Sequence, residues 1–272
     1  MKCVSFNVNS IRSRLHQLEA VINDQQPDII GLQETKVTDD DFPVEEIRRL
    51  GYHAVWFGQK THYGVATLSL EPPETVTRGF EDDGLEQQRR FLATTHQWPG
   101  GKPLHLVNGY FPQGENRHHP IKFPAKARFY ERLQTYLGTV DLGMTSLAVV
   151  GDMNVAPQDA DIGIGEDNAQ RWLRSGKCSF LPEERDWLNN VMQLGLVDCY
   201  RRLHPDNHDG FSWFDYRSRG FEREPKRGLR IDLILGSRPL AETCVAAGID
   251  YDIRAMPRPS DHAPVWAEFL PD

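Results

Sequence analysis

The sequence predicts an α/β fold in which mixed β-sheets are covered by helices, and three observations carry that expectation. Short apolar strand segments alternate with amphipathic helical segments along all 272 residues, a pattern that buries best as sheets faced by helices. Polar residues cluster at the ends of three strand segments, where Asn7, Gln33-Glu34 and Gly151-Asp152 sit, whereas Asp261-His262 precedes its own segment. If these groups meet at one edge, the last strand runs opposite to the others, which argues against a purely parallel sheet. No internal repeat, low-complexity tract or linker divides the chain. Residues 1–272 are therefore expected to form one domain, near the upper size that a single core serves.

The strand segments are 3–8, 28–32, 54–57, 65–70, 91–96, 104–110, 147–150, 230–235, 244–249 and 263–269, each short and rich in apolar or β-branched residues. Ile11, Leu15, Leu18 and Ile22 share one helical face that Pro27 closes, and Phe129, Leu133 and Leu137 share another. A third helix is expected to begin at Pro182-Glu183-Glu184, to bury Trp187, Leu188, Val191 and Met192, and to stop at Gly195. Acidic residues at its start and glycine beyond its end suit the helix dipole and a C-terminal cap.

Hydrophobic residues make up 39% of the chain, and no apolar run approaches the ~20 residues that cross a bilayer. The first residues, Met1 to Asn7, alternate as a strand does and lack the apolar stretch of a signal peptide. Cys3, Cys178, Cys199 and Cys244 are scattered without a CxxC spacing, so they read as reduced thiols of a cytoplasmic protein. The net charge of −8 argues against nucleic acid only as a global number, because phosphate contacts need a local basic surface. Arg201, Arg202, Arg217, Arg219, Arg223, Lys226, Arg227 and Arg230 form one basic group, and Arg171, Arg174 and Lys177 another. Singly they read as solvated surface; their position among acidic motifs gives them interest.

Five motifs carry that acidity and its partners: 5–9 (SFNVN), 31–36 (GLQETK), 150–154 (VGDMN), 229–233 (LRIDL) and 260–264 (SDHAP). A lone Asp or Asn at a strand end is usually a turn or a cap. Together, Glu34, Asp152, Asp232 and Asp261 supply the hard oxygen donors that Mg²⁺ or Mn²⁺ prefers. Asp232 lies in an apolar run, where an unpaired carboxylate is costly, and His262 is the obvious partner. A carboxylate fixing one ring nitrogen aims the other at substrate. Asp152 and Asn154, two apart, share a side if the segment is extended. The set suits phosphoryl transfer: metal, acid/base and neutral donors.

In this order the motifs resemble the endonuclease/exonuclease/phosphatase superfamily. The longer blocks 108–114 (NGYFPQG), 176–182 (GKCSFLP) and 211–217 (FSWFDYR) are similar to its AP endonuclease family, over essentially the whole chain. The resemblance implies a four-layer α/β sandwich of two mixed sheets flanked by helices. It also implies a Mg²⁺-dependent DNA-repair nuclease, with Mn²⁺ able to substitute, that acts on duplex DNA with abasic sites or blocked or recessed 3′ ends. The activities implied are 3′→5′ exonuclease, incision 5′ to abasic sites and removal of 3′-phosphates, in a cytoplasmic monomer without membrane contact.

Residue by residue, the resemblance makes Glu34 the main metal ligand with Asn7 beside it and Asp261 as an acidic neighbour. Asp152 handles the proton of the attacking water or of the leaving oxygen. Asn154 and Tyr110 donate to the scissile phosphate, and His262, paired with Asp232, stabilises the transition state. On spacing alone Tyr110 is equally well core or site. Gln113 matches a DNA-facing position and Arg217 one that inserts into a groove and holds a kinked duplex, while Arg90, Lys122 and His62-Tyr63 are weaker phosphate-contact candidates. Trp213, Leu229 and Ile231 match an apolar pocket for a baseless sugar, with core packing equally open for the last two. The loop from Gly220 to Gly228 is longer than the family pattern. Two rival readings are a superfamily enzyme acting on inositol phosphates or sphingomyelin, and an inactive DNA-binding relative. The long blocks oppose the first, and the complete set of motif residues opposes the second.

Overall fold

A computed structural model describes residues 1–84, 87–98 and 101–271. One six-stranded sheet contains β1 (Lys2–Asn7), β2 (Ile29–Gln33), β3 (His53–Phe57), β4 (Val65–Ser69), β11 (Cys244–Ile249) and β12 (Val265–Phe269), in the order β11-β12-β1-β2-β4-β3. The other contains β5 (Thr75–Arg78), β6 (Phe91–His96), β7 (Leu104–Tyr110), β8 (Ser146–Asp152), β9 (Leu196–Asp198) and β10 (Asp232–Ser237), in the order β5-β6-β7-β8-β10-β9. Each is mixed. β1 and β2 are parallel, as are β7 and β8, and the remaining neighbours are antiparallel. β12 does run against β1, as the position of Asp261-His262 requires.

Strand alternation sorts side chains into three cores. Val4, Phe6, Ile30, Leu32 and Leu68 face α1 (Ile11–Gln25) and α2 (Val44–Arg49) through Leu18, Val21, Ile22 and Ile47. Val107, Leu147, Val149, Leu233 and Leu235 face α3 (Lys122–Leu137) and α5 (Pro182–Met192) through Phe129, Leu133, Leu188 and Val191. Between the sheets lie Cys3, Ile29, Leu106, Ala148, Val150, Ile234 and Ala267. Helix, sheet, sheet, helix is the four-layer sandwich that the family resemblance implies. The short helices α4 (Glu166–Ser175), α6 (Cys199–Leu203), α7 (Arg238–Glu242) and α8 (Tyr251–Arg254) complete the fold. No helix among the described residues is long and apolar enough to cross a membrane.

The sheets approach closely where the site forms. A Cβ on Gly31 would lie 2.7 Å from Val150 Cγ2, so only glycine fits there. Asn108 of β7 donates to the Leu32 and Ala66 carbonyls of the facing sheet at 3.1 and 2.8 Å and accepts from Gln33 at 2.8 Å. These buried bonds tie one sheet to the other beside Glu34 and two residues before Tyr110, and they discourage relative sliding.

Candidate active site

The alternation that builds the middle core also delivers the site. Asn7 ends β1, Tyr110 ends β7 and Asp152 ends β8, while Asp232 begins β10. Register pairs Tyr110 with Asp152 and Asp152 with Asp232 across the second sheet. In the first, Asn7 pairs with Gln33, so Glu34 follows directly. Gly151 makes this end possible: its φ is +147° and an added Cβ would sit 1.9 Å from the Gly109 carbonyl oxygen.

His262 is nearly buried, with Nδ1 at 2.8 and 3.0 Å from the two Asp232 oxygens. Nε2 lies 3.8 Å from Asp152 Oδ2. Burial alone would depress its pKa, but the charges of Asp232 and Asp152 outweigh that and push it up to about 10. The two carboxylates thus favour the imidazolium form in this arrangement. Ser212 fixes the carboxylate in turn, donating to Asp232 Oδ2 at 2.6 Å. Asp152 is also buried, and burial raises its pKa to about 7; the His262 charge opposes this, and Asp232 and Glu34 reinforce it.

Asn7 Nδ2 donates to Glu34 Oε1 at 2.9 Å and to Asp152 Oδ2 at 3.0 Å. Ligand atoms of Glu34, Asp152 and His262 lie within 4.8 Å of one another. Two convergent carboxylates suit a hard divalent cation. His262 has Nδ1 on Asp232 and turns Nε2 toward Asp152, and in its protonated form the ring has no lone pair to offer a cation. Asn7, expected as a ligand, presents its amide nitrogen, while its oxygen accepts the Asn9 N–H at 3.0 Å. Asp261, expected as an acidic neighbour of the metal, accepts from Asn9 Nδ2 at 2.8 Å and from Trp213 Nε1 at 3.0 Å.

Tyr110 is partly exposed at the strand end, and burial together with the Glu34 charge raises its pKa well above the usual value, so its hydroxyl stays a donor. Asn154 is not on an extended segment as its spacing suggested. It adopts φ +52°, its N–H donates to Asp152 Oδ1 at 3.0 Å, and its Nδ2 donates to the Phe111 carbonyl at 2.9 Å. A carboxamide nitrogen carries two protons, which leaves one for substrate.

The DNA-facing expectations divide. Arg90, expected to meet phosphate, is instead buried between the Tyr63 and Tyr110 rings, 4.4 Å from each, and donates to the Tyr110 carbonyl. It fastens Tyr110 from behind. Gln113 and Arg217 are exposed, and no described residue pairs with the Arg217 guanidinium. Lys122 is exposed but ion-paired to Glu115 at 2.5 Å. Leu229 is 0% and Ile231 3% exposed, packed with Ala156, Ile164 and Phe180. The structure thus buries both in a core, and of the expected pocket residues only Trp213 offers surface. The long loop is pinned at its base, where Arg227 N–H donates to the Gly220 carbonyl at 2.8 Å.

Sequence reasoning passed over Lys36, whose Nζ is 2.8 Å from Glu34 Oε2 and 2.5 Å from Asn9 Oδ1. It lies within the acidic motif, and a cation two residues from a candidate ligand was the available signal. Ser260 was also passed over; it opens the 260–264 motif and donates to the Asn7 carbonyl at 2.7 Å.

Fold and site together define a phosphodiester hydrolase, with a buried carboxylate–histidine pair facing convergent carboxylates at the mouth between two sheets. The family model described as Endonuclease/Exonuclease/phosphatase family matches residues 4–262. The chain belongs to this family. It is 54% identical to exodeoxyribonuclease III of Haemophilus influenzae over 269 residues, covering 99% of this chain and 100% of that one. Among solved structures, a 3′-phosphatase from Neisseria bound to product DNA hairpin superposes with TM-score 0.89 at 37% identity, covering 99% of both chains. An AP endonuclease from Archaeoglobus fulgidus gives TM-score 0.88 at 37% identity, again covering 99% of both.

Proposed function

We infer that the protein is a DNA-repair nuclease of the exodeoxyribonuclease III kind, which hydrolyses phosphodiesters at 3′ ends and 5′ to abasic sites and removes 3′-phosphates. The observation that carries this reading is the Asp232–His262–Asp152 arrangement facing Glu34, in a chain similar along its whole length to such enzymes. Four free, buried cysteines favour a reducing cytoplasm. We read the protein as a monomer.

Glu34 and Asp152, with Asn7 after rotation of its amide, would hold Mg²⁺ or Mn²⁺. The bound cation supplies positive charge to the phosphate oxygens and lowers the barrier to attack. Asp152, once ionised, accepts the proton of the attacking water. Its perturbed pKa, about 7, suits a base working near neutrality. The His262 imidazolium, held by Asp232, offsets the charge that builds on the phosphoryl oxygens. Tyr110 and Asn154 donate neutral hydrogen bonds to the same group.

The direct test incubates the protein with abasic duplex, plain duplex and a lipid phosphodiester, each with Mg²⁺ and with EDTA. Cleavage of the DNA alone, and only with Mg²⁺, is expected. Cleavage of the lipid substrate, or no cleavage of any, would overturn the reading.

Binding is expected to weaken steeply with salt despite the net charge of −8. Arg217→Ala should flatten the slope of log affinity against log salt by about one phosphate, or ~0.9. Lys122→Ala should flatten it less, because Glu115 already neutralises that ammonium. An unchanged slope in Arg217→Ala places this side chain away from DNA.

Trp213 bears on the choice of substrate. Its backbone bridges to Leu229 and to His262, and its ring nitrogen is tied to Asp261. An abasic sugar offers no base edge and flips out at little cost, so shape and placement decide. Trp213→Ala should lower kcat/KM for abasic incision by about 100-fold, and removal of a terminal 3′-phosphate by much less. Equal losses on abasic, recessed and 3′-phosphate duplexes would make Trp213 a packing residue.

A further inference from the structure

The motif from Gly176 to Pro182 contributes no side chain to the site just described, yet it is bound to it through a buried ion pair. Lys126 on α3 and Glu184 on α5 are each fully removed from solvent. The Lys126 ammonium donates to Glu184 Oε1, to the Asn154 carbonyl at 2.8 Å and to the Gln113 carbonyl at 3.3 Å. All three of its protons are thereby used. Glu184 Oε2 accepts the Ser179 and Leu181 N–H groups at 2.8 Å each. Gly114 closes against the assembly, since an added Cβ would lie 2.9 Å from Cys178 Sγ and 3.0 Å from Lys126 Cδ.

One buried cation therefore joins three loops: the segment after Tyr110 that carries Gln113, the segment after Asp152 that carries Asn154, and the 176–182 segment. The Asn154 peptide is already constrained, with φ +52° and its N–H on Asp152. Holding its carbonyl from behind fixes the remaining freedom of that turn. We propose that Lys126 and Glu184 are a positioning pair for the reaction, setting Asn154 and the Gln113 loop against the scissile phosphate. A buried pair is weak support for stability, because apolar replacements of similar volume are often as stable. The position of a donor at the phosphate is different, because a displacement of about 1 Å costs ~100-fold in rate.

The inference rests on the nuclease reading, and its test keeps the two apart. The variants are Lys126→Met, Glu184→Gln and the double Lys126→Met/Glu184→Gln. Glutamine keeps an acceptor for the Ser179 and Leu181 N–H groups, and the double variant leaves no unpaired buried charge. Measured on an abasic duplex beside wild type, the double variant should regain most of the Tm lost in Lys126→Met. Its kcat should stay at least about tenfold low, with the half-saturating Mg²⁺ concentration unchanged, because Glu34, Asn7 and Asp152 are untouched. If Lys126→Met does not accumulate, the double variant decides alone. A double variant with wild-type kcat overturns the positioning role. A raised Mg²⁺ requirement also overturns it, by placing the pair behind the metal site instead. Inactive wild type would refute the nuclease reading itself.

Discussion

Glu34→Ala, Asp152→Asn and His262→Ala are each expected to lose about 10³-fold or more in kcat while remaining folded. The three occupy one buried junction, where Asn7 bridges Glu34 to Asp152 and His262 Nε2 faces Asp152 at 3.8 Å. Removing one member of such a unit removes most of what the others do, so losses are large and not additive. A factor of about 10³ corresponds to roughly 4 kcal/mol of transition-state stabilisation, within reach of a preorganised charge in a dry site. His262→Ala and the double variant Asp232→Ala/His262→Ala should be nearly equal, because Asp232 acts through the ring it holds. Any single variant with near wild-type turnover at saturating Mg²⁺ loses its assigned role.

Stability should move the opposite way for Asp152→Asn. The Asp152 pKa is raised from its unfolded value, 3.8, to about 7. A group with a raised folded pKa contributes fully below its unfolded value and loses that contribution as pH rises through the folded one. In EDTA the variant should therefore gain Tm over wild type at about pH 8, and the gain should shrink at about pH 5. An identical difference at both values would show that ionisation of Asp152 is not penalised by burial.

How much of this was legible in the sequence follows from where the information lies. The central strands could be read because their apolar runs are long and buried on both faces, as in β1, β2 and β8. Both outer strands of the second sheet went unread. β5 is exposed at all four positions and β9 has three residues, so neither leaves a clear hydrophobic signature. Glu34, Asp152 and Asp232 could be found because each is a carboxylate in or beside an apolar strand, which burial makes costly without a partner. Arg90 was misread for the opposite reason. Nothing local in the sequence says that Tyr63 and Tyr110 enclose its guanidinium. The Asn154 geometry escaped because a left-handed residue after a strand looks in sequence like its continuation. Leu229 and Ile231 were open between pocket and core, and the packing around Phe180 buries them.

Chelation should abolish turnover, and metal affinity should follow the ionisation of Asp152. Without a cation, burial and the Asp232 and Glu34 charges hold the Asp152 carboxyl near pH 7, against the pull of His262. A divalent cation beside Glu34 and Asp152 adds positive charge and favours the ionised form. By linkage, the same coupling makes binding tighter as the proton leaves. Calorimetric titration of Mg²⁺ from about pH 5 to about pH 9 should therefore show affinity rising by up to about tenfold per pH unit below the limb. Above pH 7 it should level off. The acidic limb of log kcat/KM should lie below 7 at saturating Mg²⁺ and move toward 7 as Mg²⁺ is lowered. Asp152→Asn should flatten the binding profile, and Glu34→Ala should weaken binding at every pH. Turnover surviving exhaustive chelation would remove the metal from the reaction. A wild-type affinity independent of pH, with turnover still dependent on Mg²⁺, would instead place the ion on Glu34 alone and leave Asp152 to the proton.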